Sequence, residues 1–212
     1  MNKRFNKIVE EISVSQREIK IVAVTKNVDT DKTNEIIKDG STAIGENRVE
    51  VLENKLGSLL PVEKHFIGQI QTKKIKKIVG LFDVIQSVGS IKHLKKIHNE
   101  AEKQKKDIQV MLQFNISNEI QKSGFEPSDT KQIVLDIEEI KDARIIGVMG
   151  MASFTSDTEV IRKQFQLLRS IRDELRQTNS KILELSMGMS SDYKIAIDEG
   201  ATVLRIGSIL FE

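Results

Sequence analysis

The stretch Ile21-Val22-Ala23-Val24-Thr25-Lys26 is the first clear strand pattern in the chain. A run this rich in β-branched and apolar residues is typical of a buried strand. Lysine is among the residue types least often found at such a place unless it is paired or has a function. The pattern therefore predicts a strand that presents Lys26 as a candidate functional group at its carboxyl end.

Seven further apolar runs follow and alternate with segments of helical pattern. Together with the first, they occupy residues 20–26, 41–47, 64–69, 82–88, 108–116, 143–150, 182–188 and 202–208. Strict alternation of strands and helices predicts parallel strands, because parallel neighbours need a crossover connection, which is usually a helix. Eight such units predict an α/β protein of the (β/α)₈ barrel type. A doubly wound open sheet is the alternative.

The helical segments show apolar residues at three- and four-residue steps. The clearest stripe, within residues 157–178, consists of Ile161, Phe165, Leu168, Ile171 and Leu175. Ser156 and Glu159 resemble a capping box at the start of this helix, and Ser90 is predicted to be the N-cap of another. An extra helix at about residues 3–18 precedes the first strand. It is expected to occupy the place in the outer ring that a helix after the eighth strand would fill.

Length and composition favour one ordinary globular domain over residues 1–212, with no second β domain. The net charge of +2 is too small to indicate a nucleic-acid or membrane partner. The absence of cysteine excludes disulfides, thiolate nucleophiles and Cys-based zinc sites. The N-terminus is charged throughout, and no run approaches the roughly 18 apolar residues of a membrane span. We therefore expect a cytoplasmic protein, and a monomer.

A second unusual cluster lies near the other end of the chain, where Ser186-Met187-Gly188-Met189-Ser190-Ser191-Asp192 is followed by Arg205-Ile206-Gly207-Ser208. In a (β/α)₈ barrel, functional groups gather at the carboxyl ends of the strands, and phosphate often binds after strands 7 and 8. Backbone N–H groups exposed at glycine, together with serine hydroxyls, can surround a phosphate. These segments are therefore a candidate phosphate site; the alternative is that they are only tight turns.

The predicted barrel brings Lys26 to the same rim, because strand 1 adjoins strand 8 when the barrel closes. A neutral lysine amine attacks an aldehyde to form a Schiff base, and burial favours the neutral form. An amine beside a phosphate site indicates a cofactor that carries both an aldehyde and a phosphate, which is pyridoxal 5′-phosphate. The alternative is a lysine that reaches the surface or pairs with Glu46.

Several motifs, in order along nearly the whole chain, resemble those of the pyridoxal phosphate homeostasis protein family, which shares the barrel of the alanine racemase N-terminal domain. These motifs are Ala23-Val24-Thr25-Lys26, Ile44-Gly45-Glu46-Asn47, His65-Phe66-Ile67-Gly68, Lys122-Ser123-Gly124, Gly147-Val148-Met149, Leu185-Ser186-Met187-Gly188-Met189-Ser190 and Arg205-Ile206-Gly207. The resemblance implies that Lys26 holds the cofactor as a Schiff base. It further implies that Ser190, Gly207 and Ser208 receive the phosphate and that Arg205 points at the pyridine nitrogen.

The resemblance also implies that Asn47, Met149 and Met187 lie near the cofactor ring. The chain departs from the family pattern at Gln69, where many relatives have histidine, and at Arg48, where many have tyrosine. Neither departure removes a cofactor contact.

Two functions of different classes follow from the resemblance. The first is a non-catalytic protein that buffers pyridoxal phosphate or delivers it to apo-enzymes that depend on it. The second is a weak single-domain racemase. An arginine at the pyridine nitrogen weakens the ring as an electron sink, and a barrel without a second domain leaves the pocket open to water. Both features favour the first function.

Other candidate groups have simpler interpretations. The lysines of Lys73-Lys74-Ile75-Lys76-Lys77 are predicted to form the solvated face of an amphipathic helix rather than a nucleic-acid site. His93 and His98 are five residues apart, which is not the spacing of a helical zinc pair, so no metal is expected. Tyr193 is predicted to pack at the start of a helix.

Overall fold

The computed structural model describes residues 2–119, 123–140 and 144–211 of the chain. Each predicted apolar run contributes one strand, so the predicted number and order of strands are confirmed. The strands are β1 Lys20–Val24, β2 Ala43–Glu46, β3 Glu63–Phe66, β4 Val84–Val88, β5 Gln109–Phe114, β6 Ile145–Gly150, β7 Glu184–Ser186 and β8 Val203–Ile206.

Helices connect successive strands. In the described ranges they are α1 Lys3–Val14, α2 Thr30–Lys38, α3 Val49–Lys55, α4 Ile75–Leu81, α5 Ile91–Gln104, α6 Thr130–Ile140, α7 Thr158–Thr178, α8 Tyr193–Asp198 and α9 Ser208–Phe211. Short 3₁₀ turns precede α4 and α6. None of the helices in these ranges is both long and apolar enough to cross a membrane.

The strands pair in sequence order, all in parallel, and the sheet closes on itself. Closure is made by β1 and β8, with Val22 opposite Arg205 and Ala23 opposite Ile206. The closed barrel confirms the predicted fold and excludes the open sheet. The carboxyl ends of β1 and β8 are therefore neighbours on one rim.

Alternation of side chains along the strands divides the core into two layers. The larger layer packs between strands and helices. The smaller fills the barrel interior and consists of Val22, Ala43, Val84, Met111, Met149 and Val203, from six different strands. Polar side chains of β3, β4, β7 and β8 continue this interior, as described below.

The predicted apolar stripe of α7 is buried, but its N-cap differs from the prediction. The Asp157 carboxylate, rather than Ser156, accepts hydrogen bonds from the backbone N–H groups of Glu159 and Val160, at 3.0 and 3.3 Å. A carboxylate both accepts these bonds and complements the positive end of the helix dipole, so it outcompetes the preceding hydroxyl. The capping box predicted from Ser156 is wrong, whereas Ser90 caps α5 as predicted.

The N-terminal helix α1 is shorter than predicted but lies where the prediction placed it, beside the last unit of the barrel. The Tyr193 hydroxyl donates to Glu11 Oε2 at 2.6 Å. The Asn2 side-chain amide donates to the Leu210 carbonyl at 2.7 Å. The helix is thereby fixed to α8 and α9, and Tyr193 packs at the start of α8 as expected.

Candidate functional site

Lys26 lies on the carboxyl rim, two residues beyond the end of β1. The strand stops earlier than the sequence pattern predicted, and Lys26 belongs to the turn closed by the hydrogen bond from Val28 N–H to the Thr25 carbonyl, at 3.1 Å. Its side chain is exposed. Within residues 2–119, 123–140 and 144–211 it makes no hydrogen bond or ion pair. The amine is open to solvent, whereas the sequence argument for its reactivity assumed burial.

A buried ion pair lies behind the turn that carries Lys26. The Lys55 ammonium donates to Glu46 Oε1 at 2.7 Å, to the Thr25 carbonyl at 2.8 Å and to Thr33 Oγ1 at 3.1 Å. The Thr25 hydroxyl donates to the same Glu46 oxygen at 2.6 Å. Because Glu46 pairs with Lys55 on the helix-facing side of β2, the alternative that Lys26 pairs with Glu46 is wrong.

The loops after β7 and β8 converge on Ser190. Its hydroxyl oxygen accepts from the backbone N–H groups of Gly207, at 3.3 Å, and Ile209, at 3.4 Å. A cavity of about 470 Å³ opens beside it, lined by Arg4, Ser190, Ser191, Ser208 and Ile209. Backbone amides, hydroxyls and a guanidinium are hydrogen-bond donors, and none of the described residues in this lining carries a carboxylate. The arrangement suits an anion such as a phosphate group.

The loop before Ser190 is held in one conformation from below. The buried Asp192 carboxylate accepts from the Met189 N–H at 2.5 Å, and burial raises the pKa of Asp192. Gly188 has a φ of +92°, and a Cβ there would lie 2.6 Å from the Ala196 methyl. The conformation and packing require glycine at position 188, and the hydrogen bond from the Met189 N–H to Asp192 holds the next residue, so the loop presents Ser190 to the cavity in a fixed conformation.

Arg205 lies inside the barrel, below the rim. Its guanidinium donates to Ser186 Oγ at 2.7 Å and to the Gly150 carbonyl at 2.9 Å. Complete burial lowers the pKa of Arg205 to about 10, partly opposed by the charge of Asp192. The side chain is therefore still a cation at neutral pH, fixed at the centre of the barrel.

The three residues expected near a ring are placed differently. Asn47 follows β2 on the rim and is half-buried. Its backbone packs against Gly68, where a Cβ would fall 2.0 Å from the Asn47 carbonyl oxygen. Met149 belongs to the interior cluster. Met187 is fully buried in the layer between strands and helices, because it alternates with the inward-facing Ser186. The position of Met187 does not support the predicted contact with the cofactor ring, and that contact stays a prediction.

The lysine-rich segment before and within α4 is the amphipathic helix that the sequence predicted. Its isoleucines are buried, while Lys74 and Lys77 pair with Glu50 and Glu53 of α3 at 2.5 and 2.9 Å. Lys122, part of one of the family motifs, lies outside the described residues.

The predictions from sequence missed two of the charged residues described above, Arg4 and Lys55. Arg4 reaches the cavity only because α1 packs against α8 and α9, and no local pattern predicts that contact. Lys55 had a usable signal, because it follows the buried Val49 and Leu52 at three-residue steps on one face of α3. A charged residue within such a stripe indicates a buried partner.

The sequence is similar to known proteins over nearly its whole length. The sequence profile of the family described as "Alanine racemase, N-terminal domain" matches residues 10–212. The "Pyridoxal phosphate homeostasis protein" of Aquifex aeolicus is 34% identical over 211 residues, which cover 98% of this chain and 92% of that protein.

Solved structures show the same similarity. PipY of Synechococcus elongatus, with 28% identity, superposes with a TM-score of 0.90 without PLP, covering 100% of this chain and 99% of PipY. With PLP bound, the TM-score is 0.83 and the coverage is 97% and 100%. Alanine racemase of Clostridium difficile, at 19% identity and a TM-score of 0.76, shares the fold over 99% of this chain but only 56% of its own length.

Proposed function

The chain belongs to the pyridoxal phosphate homeostasis protein family, and from this membership we propose that it binds pyridoxal 5′-phosphate through Lys26 and maintains the cell's supply of that cofactor. The observation that supports this proposal is the shared rim: Lys26 follows β1, the donor-lined cavity lies at the loops after β7 and β8, and β1 pairs with β8. PipY, which has the same barrel, is known with PLP bound.

The residues on this rim fit the two ends of the cofactor. When bound, pyridoxal phosphate supplies an aldehyde that condenses with a primary amine and releases water. Lys26 provides an accessible amine. Ser190, Ser208 and the N–H of Gly207 would hold the phosphate, and the side chain of Arg4 would add a positive charge at the cavity edge.

Arg205 would face the ring nitrogen from inside the barrel. A guanidinium has only N–H donors, so it stabilises an unprotonated, accepting ring nitrogen. A neutral ring withdraws electrons less strongly than a pyridinium. The arginine therefore favours holding the cofactor over the carbanion chemistry of decarboxylation or transamination. Asn47, at the end of β2, would contact the ring from the side.

We further propose that the protein is a carrier rather than an enzyme, and that apo-enzymes requiring the cofactor are its recipients. Its similarity to the homeostasis protein of Aquifex aeolicus covers 92% of that protein's length, whereas the racemase fold is matched over only 56%. Lys26 is exposed, so a bound cofactor would be reachable by a competing amine. We propose that the barrel over residues 1–212 acts as a single-domain monomer in the cytoplasm.

A transfer assay tests this proposal. The protein loaded with pyridoxal phosphate is freed of excess cofactor and mixed with an apo-enzyme that needs it; recovery of that enzyme's activity is followed. Loaded protein treated with borohydride, which cannot release its cofactor, is the matched control. We expect recovery only with the untreated protein. Absence of recovery, together with racemisation of an amino acid by the protein itself at about 1 per second or faster, would instead support the racemase.

A further inference from the structure

A series of buried polar side chains, called the hydrogen-bond chain below, crosses the barrel interior beneath the proposed cofactor. Arg205 Nη1 donates to Ser186 Oγ at 2.7 Å, and Ser186 Oγ donates to Gln86 Oε1 at 2.7 Å. Gln86 Nε2 lies 2.7 Å from His65 Nδ1, and His65 Nε2 lies 3.5 Å from Glu63 Oε2. Arg205, Ser186, Gln86 and His65 are at most 4% exposed, so bulk water does not replace the contacts among them.

The two end residues of the hydrogen-bond chain, Arg205 and Glu63, fix the direction of every hydrogen bond between them. Arg205 can only donate, so Ser186 accepts from it and passes its own hydrogen to the Gln86 carbonyl oxygen. The Gln86 amide then donates to His65 Nδ1, which leaves the imidazole hydrogen on Nε2, facing the Glu63 carboxylate. Reversing the Gln86 amide would place a bare His65 Nε2 against that carboxylate, so the reverse order is disfavoured.

Charges around His65 keep this arrangement in place. Burial lowers the pKa of His65 and keeps it neutral, although Glu63 and Asp83 oppose this and Lys20 reinforces it. Glu63 is itself held as a carboxylate by Lys20, at 2.5 Å, and Asp83 pairs with Lys64, at 2.6 Å. A protonated His65 would present an N–H to the Gln86 amide hydrogens and break the chain.

Resting on the proposed placement of Arg205 at the ring nitrogen, we propose that Gln86 and His65 are positioning residues for the cofactor. They anchor Ser186 as an acceptor and so hold the Arg205 guanidinium in one orientation, as a fixed donor toward the ring nitrogen. Neither residue needs to touch the cofactor. A loosened Arg205 would still be a cation, but its hydrogen bond to the ring nitrogen would be weaker and less directional.

The first test uses the protein without cofactor, so its outcome does not depend on cofactor binding. Long-range ¹H–¹⁵N NMR of the ¹⁵N-labelled protein reports the protonation of each imidazole nitrogen; a His65→Gln variant assigns the His65 signals among the three histidines. We expect hydrogen on Nε2, none on Nδ1, and no titration between about pH 6 and 8. Hydrogen on His65 Nδ1, or titration of His65 near its ordinary pKa of 6.5, would overturn the proposed hydrogen-bond chain.

The second test measures how strongly the protein prefers pyridoxal phosphate over its deaza analogue, in which C–H replaces the ring nitrogen. In the wild type we expect a preference of at least about tenfold, since the Arg205 donor lacks an acceptor in the analogue. Gln86→Met, similar in volume but without the amide, should reduce the preference at least about threefold while the analogue binds nearly as before. The control Ser87→Ala, on the same strand as Gln86, removes a buried hydrogen bond from Ser87 to the Gly68 carbonyl after β3 and should leave the preference unchanged.

The outcomes separate this inference from the proposed function. A wild type that binds neither compound contradicts the proposed function. A wild type that prefers pyridoxal phosphate, with an equal preference in Gln86→Met, overturns the positioning role alone. If Gln86→Met does not fold, the NMR measurement on the wild type still decides whether the hydrogen-bond chain through His65 exists as described.

Discussion

Lys55 Nζ lies 2.7 Å from Glu46 Oε1, and both side chains are buried between the barrel and α3. The same ammonium donates to the carbonyl of Thr25, the residue before Lys26. The ion pair thus fastens the backbone that carries the proposed cofactor lysine. Its second carboxylate oxygen, Glu46 Oε2, has no partner among the described residues, so the pair depends strongly on Lys55.

We predict that Lys55→Met lowers the free energy of unfolding by about 3–5 kcal/mol, because it leaves the Glu46 charge buried and unpaired. Combining Lys55→Met with Glu46→Leu should restore most of this loss, since no isolated charge remains. Urea denaturation followed by circular dichroism measures both variants. A single variant that loses less than about 1 kcal/mol, or a double variant that is no better, would contradict this account of the pair.

Ser190 is predicted to be essential to the phosphate site. Ser190→Glu places a carboxylate against the bound phosphate, and the repulsion should weaken pyridoxal phosphate binding at least about tenfold. Ser170→Glu adds the same charge on the exposed surface of α7 and should leave the affinity unchanged. Equilibrium titration by visible absorbance checks both. Equal affinities for the two variants would remove Ser190 from the site.

Arg4 lines the same cavity from α1, so we predict a smaller electrostatic effect there. Arg4→Gln should weaken cofactor binding about two- to fivefold at low salt, with the difference shrinking as salt rises, because an exposed charge is screened. Lys7→Gln, one turn along the same helix and outside the cavity lining, is the matched control. An effect of Arg4→Gln that is independent of salt would argue against a charge interaction.

Stability of the protein without cofactor should fall as the pH is lowered. The folded-state pKa of His65 is depressed by burial, so below its ordinary value of 6.5 the unfolded chain binds a proton that the folded protein does not. The nearby His65 imidazole and the Lys20 ammonium lower the pKa of Glu63 to about 2, which adds a second loss between about pH 4.5 and 2. Urea denaturation from pH 8 to 4 should show the first loss, and His65→Gln should remove it. A wild-type stability that is constant over this range would contradict the buried neutral histidine.

The fold was predictable because its signals are local. Eight apolar runs and the stripe of α7 predict strands and helices independently of their neighbours, and strict alternation predicts parallel pairing. Boundaries were less predictable: β1 ends at Val24, and the next residue, Thr25, is held by hydrogen bonds to the ion pair of β2 and α3. This arrangement depends on Lys55, which lies 30 residues along the chain.

The proposed site was only partly predictable. Lys26, Ser190 and Gly207 lie in distinctive local motifs at strand ends, so the sequence placed them on one rim. The interior chain could not be predicted in this way, because Gln86 and Ser186 are 100 residues apart and meet only across the closed barrel. The burial of Met187 follows from strand alternation, which the family motif alone does not convey.

Covalent trapping of the cofactor tests the central claim most directly. The protein is incubated with pyridoxal phosphate, reduced with borohydride, digested and mapped by mass spectrometry, in parallel with Lys26→Ala and with Lys32→Ala, an exposed lysine of α2. The account predicts a stable pyridoxyl adduct on Lys26 in the wild type and in Lys32→Ala, and its loss in Lys26→Ala. An adduct mainly on another lysine, or none at saturating cofactor, would contradict the assignment of Lys26 as the cofactor-binding residue.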